Sequence, residues 1–96
     1  MSDSFQKMID LEDSRRMANL LENGSDLIYN HPKLQLGIIL MLKGCIDGKV
    51  TEGKALSAIS NLKRNKVSFE NLPYLESYSE IKDKIPKSIR NYLTWR

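Results

Sequence analysis

A chain of 96 residues, 41% hydrophobic and 28% charged, has the size and balance of one folded domain and is too apolar for a disordered segment. Its longest uninterrupted apolar run is residues 38–42, against the roughly 20 residues that a membrane-spanning helix needs. The polar, acidic first four residues lack the basic start and apolar core of a secretory signal, so a cytoplasmic protein is expected. The net charge of +3 is uneven, with −3 over residues 1–31 and +6 over residues 32–96. Such asymmetry suits head-to-tail association or an acidic partner, but at this magnitude plain solvated surface charge is the favoured reading.

The first predicted helix spans 10–23. Met17, Leu20 and Leu21 recur at helical spacing, with Arg15, Arg16, Asn19 and Glu22 on the other side. Asp10 or Asp13 can cap its start, and Asn23-Gly24 ends it, with the glycine expected in the left-handed conformation. Phe5, Met8 and Ile9 suggest an earlier turn inside a loosely ordered segment 1–9. Ser25-Asp26 caps a short turn through Leu27, Ile28 and Tyr29. Pro32 is placed at the first position of a second long helix, 32–46. Leu34, Leu36, residues 38–42, Cys45 and Ile46 cover most of the circumference of that helix, which predicts a central, buried position. Gly37 and Gly44 each lower helix propensity by about 1 kcal/mol relative to alanine. Close packing of another element is the expected return.

Asp47-Gly48 ends the central helix, and Thr51 caps a third, 51–65, with Val50 as its hydrophobic staple. Ala55, Leu56, Ala58, Ile59 and Leu62 form its apolar stripe, while Lys54, Ser57, Asn61 and Arg64 are expected to face away. A tight glycine turn between the two makes a helical hairpin. Beyond it, 67–72 reads as an extended stretch or a loop. Pro73 starts a turn through Tyr78, Ser79 caps a segment around Ile81, and a last helix runs 86–93. The predicted fold is all-α: one domain, 1–96, built as a small bundle of four to six helices around the central helix 32–46.

Chemistry-bearing residues are sparse. A structural zinc site takes four Cys/His ligands, and the sequence holds only His31 and Cys45. Cys45 lies in an apolar segment and reads as a buried, reduced thiol; His31 reads as an exposed loop residue. The stretch 44–49 departs from a phosphate-binding loop in the spacing of its glycines, in Val50 after Lys49, and in following a helix. Glu12/Asp13 and Glu76/Glu80 read as solvated carboxylates with no pocket to raise a pKa. No catalytic residue, metal or cofactor is expected, and the chain is read as non-enzymatic.

Five of the seven aromatic residues fall in the last third: Phe69, Tyr74, Tyr78, Tyr92 and Trp95. Phe69 and Leu75 are expected in the core. Tyr74, Tyr78, Tyr92 and Trp95 form the predicted partner-binding face, with Lys84, Lys87 and Arg90 as a positive rim. The expected partner is another protein, as for an adaptor, inhibitor, chaperone or immunity-type regulator, and an apolar patch left by so small a core suits a homodimer. The alternative is a nucleic-acid-associated regulator. A pI near 9.1 supports it, with 52–64 as a reading helix and Lys54, Asn61, Lys63, Arg64 and Lys66 as contacts.

The run Asp83-Lys84-Ile85-Pro86-Lys87-Ser88-Ile89-Arg90-Asn91-Tyr92-Leu93 resembles the C-terminal segment of the Hha family, small bacterial modulators that associate with nucleoid proteins. That segment reads Asp-Lys-Ile-Pro, then a serine, an aliphatic and an aromatic residue. Arg90 stands where the family has tryptophan, and its Asp-His-Arg stretch has no counterpart upstream. The resemblance is confined to this one segment and assigns no family.

Overall fold

The computed structural model describes residues 4–24 and 26–94, and among them the chain is all helix and loop, without a strand. Seven α-helices follow one another: α1 Ser4–Asp10, α2 Ser14–Glu22, α3 Asp26–Tyr29, α4 Leu34–Ile46, α5 Glu52–Arg64, α6 Glu76–Ile81 and α7 Lys87–Thr94. A single 3₁₀ turn, Leu72–Tyr74, precedes α6. The all-α bundle is therefore as expected, with more and shorter helices. The predicted helix 10–23 is α2, which starts only at Ser14 because the chain turns at Leu11-Glu12 after Asp10 ends α1, and Asp13 is its cap, accepting from the Arg16 amide at 3.1 Å. The segment read as loosely ordered holds α1, whose Phe5 is 1% exposed. The expected Ser25 cap lies outside the described residues.

Three helices end in the same way. After α4, the Gly48 amide donates to the Cys45 carbonyl and the Lys49 amide to that of Gly44. After α1, Glu12 bonds to Ile9 and Asp13 to Met8; after α5, Lys66 bonds to Lys63 and Val67 to Leu62. This paired closure requires a left-handed residue just past the helix. Gly48 supplies it at φ +78°, but Glu12 and Lys66 adopt it at 53° and 63°, a conformation that costs a side-chain-bearing residue about 1–2 kcal/mol. Gly24 does not take it. What position 24 needs is room, since a Cβ there would lie 2.7 Å from the Leu20 carbonyl oxygen.

The helical hairpin is not closed on itself. α4 and α5 touch little, and α2 packs along both. Two glycines make the close approach feasible: a Cβ at Gly37 would stand 2.6 Å from the Phe5 ring, and one at Gly44 would stand 2.6 Å from Ser14. Met17, Ala18 and Leu21 of α2 meet Ile38, Met41 and Leu42 of α4 and Ala55, Ala58, Ile59 and Leu62 of α5 in one continuous core. α4 is the central helix and is mostly buried, with Leu36 the apolar exception at 41% exposed. Pro32 sits in the turn before α4 instead of at its first position, and Lys33 precedes the helix without a side-chain cap. Thr51 caps α5 as expected, its hydroxyl accepting from the Lys54 amide at 3.1 Å, and Val50 is buried.

The last third wraps the open side of α5. Residues 67–71 form a loop, α6 buries Tyr78 and Ile81, and Ile85, Ile89 and Leu93 place α7 against the core. Ser79, expected as a cap, lies inside α6. Ser88 donates to the Glu52 carboxylate at one end of α7, and Lys63 donates to the Tyr92 carbonyl at the other, so α7 and α5 run in the same sense.

Candidate functional site

A groove of about 910 Å³ opens where α5 ends, between the loop 67–71, the 3₁₀ turn and α7. Phe69, Leu72 and Leu93 give it apolar walls, Tyr78 contributes to its lining, and Tyr74 stands at its lip. Tyr74 is 87% exposed, whereas Tyr78, four residues on, is 4% exposed. The alternation has a local cause. The 3₁₀ turn is closed by the Tyr74 amide on the Asn71 carbonyl and the Leu75 amide on Leu72. Leu75 then becomes extended at ψ 132°, so α6 starts afresh and its first turn carries Tyr78 inward. Burial pushes the Tyr78 phenol up from its usual value, and Arg90 pulls it partly back.

Lys63 reaches this groove from the last turn of α5. Its Nζ lies 4.1 Å from the centroid of the Tyr92 ring and donates to the Tyr92 carbonyl. Burial pushes its ammonium down from the usual lysine value, and Tyr92 opposes that shift. A cation over an aromatic face is stabilised by the ring quadrupole, so Lys63 and Tyr92 together clamp the ends of α5 and α7.

The predicted partner-binding face is therefore not one surface. Tyr78 belongs to the core and Tyr92 is half-buried under Lys63. Arg90 folds back on the turn before α7, 3.6 Å from Asp83 and 3.4 Å from the Lys82 carbonyl, and forms no rim. Lys84 and Lys87 are exposed in that turn and at the start of α7, the end opposite to Leu93. Trp95 lies outside the described residues. Among the described aromatic members of the set, Tyr74 is the one that is exposed.

The alternative set is divided as well. Lys54, expected to face away, pairs with Glu22 of α2 at 2.9 Å. Asn61 faces inward too. Its amide donates to the Leu21 carbonyl at 3.1 Å and to the Tyr29 hydroxyl, which donates in turn to the Gly24 carbonyl at 2.8 Å. These polar groups tie α2, α3 and α5 together. The outer side of α5 is left to Glu52, Gly53, Ser57 and Arg64, which carry one charge of each sign. Lys66 is exposed just beyond.

His31 is half-buried, not exposed. Its ring stacks on Phe5 with centroids 4.4 Å apart, and its Nδ1 accepts from the Lys33 amide at 3.0 Å. Cys45 is half-buried, and burial, with Glu52 nearby, pushes its thiol up to about 11. Among the described residues, no group of three or more His, Cys, Asp or Glu is placed to hold a metal ion, and no helix is long and apolar enough to cross a membrane. The residues that resemble the Hha segment serve this fold as the turn and helix that bury Ile85, Ile89 and Leu93. No protein-family model, no curated protein and no solved structure matches this chain.

Proposed function

We propose that this chain is a small, non-enzymatic, cytoplasmic protein that works by binding another protein, and that it docks its partner in the groove beside Tyr74. The observation that carries this reading is the 87% exposure of the Tyr74 side chain at the lip of an apolar-walled groove. A tyrosine gives large contact area with few rotors to freeze and brings a hydroxyl for the wet edge of an interface. Adaptor, inhibitor, chaperone and immunity-type regulators all work through such a surface. Nucleic-acid binding has less support, because Lys54, Asn61 and Lys63 already hold contacts within the chain.

The test compares the wild-type chain and Tyr74→Ala as baits in the native host. The expected result is a partner captured by the first and lost from the second, at unchanged melting temperature. A partner retained by Tyr74→Ala refutes the assignment of the groove.

A further inference from the structure

We draw no further inference here: the strongest candidate, the apolar-walled groove between the loop 67–71, the 3₁₀ turn and α7, belongs to the site already described, and nothing in the structure shows what covers it.

Discussion

Ser14 packs directly on the backbone of Gly44: a Cβ at position 44 would lie 2.6 Å from both the Cβ and the Oγ of Ser14, and 2.7 Å from Val50 Cγ2. This contact brings the start of α2 onto the end of α4. Gly44→Ala is expected to destabilise the fold by about 2 kcal/mol, since overpacking costs about 1–3 kcal/mol and exceeds the gain in helix propensity. Gly53 provides the control with opposite sign. Nothing lies within 4 Å of a Cβ there, so Gly53→Ala is expected to stabilise by up to about 1 kcal/mol. Thermal melts check both, at roughly 4–8 °C per kcal/mol for a domain of this size.

Glu12 and Lys66 occupy left-handed backbone that glycine adopts freely. Glu12→Gly and Lys66→Gly are each expected to stabilise by about 0.5–1 kcal/mol, the relief of strain exceeding the entropy that glycine adds to the unfolded chain. Gly48→Ala, at φ +78°, is expected to destabilise by a similar amount. Denaturant midpoints at constant m-value measure the set.

Asn61 and Tyr29 form one unit. Asn61→Ala leaves the Leu21 carbonyl and the Tyr29 hydroxyl each without a hydrogen bond they now accept, at an expected cost of about 1–3 kcal/mol. Tyr29→Phe is expected to cost about 1 kcal/mol. A double-mutant cycle is expected to give a combined loss smaller than the sum of the single losses, because both substitutions remove the bond between the two side chains.

Cys45 is a pH probe of the native state. Its thiol is pushed up to about 11 by burial and by Glu52, from an ordinary value of 9.0. A raised value means that the folded protein disfavours the thiolate. The resulting contribution to stability is fully present below pH 9.0 and is lost as the pH rises through about 11. The labelling rate with a thiol reagent is expected to rise about tenfold per pH unit from pH 7 to 10 in the native protein. In denaturant the rise is expected to level off near pH 9.0, the ordinary value.

The features that depend on a few neighbouring residues were legible in the sequence. Thr51, Asp13 and Asp47-Gly48 mark helix ends by local hydrogen-bonding chemistry, and Gly37 and Gly44 flagged close packing. Directions around a helix that is buried on more than one side were not legible. α5 faces α2, α4 and α7, so Lys54 and Asn61, polar at helical spacing, point at α2 instead of at solvent. Tyr74 and Tyr78 look alike in composition, and only the break at Leu75 separates lip from core. The reversals at Glu12 and Lys66 escaped because neither is a glycine.

The wedge that α2 makes between α4 and α5 also bears on how the chain reaches its fold. The two long helices are neighbours in sequence, yet their apolar faces meet mainly through a helix that lies upstream of both. A fragment holding only the hairpin would expose those faces to water, and local helix formation gains little until the distant segment arrives. The domain is thus built to assemble as one cooperative unit. α2 serves as the keystone, and a cut or circular break placed within Ser14–Glu22 strikes at the core that it shares with α4 and α5.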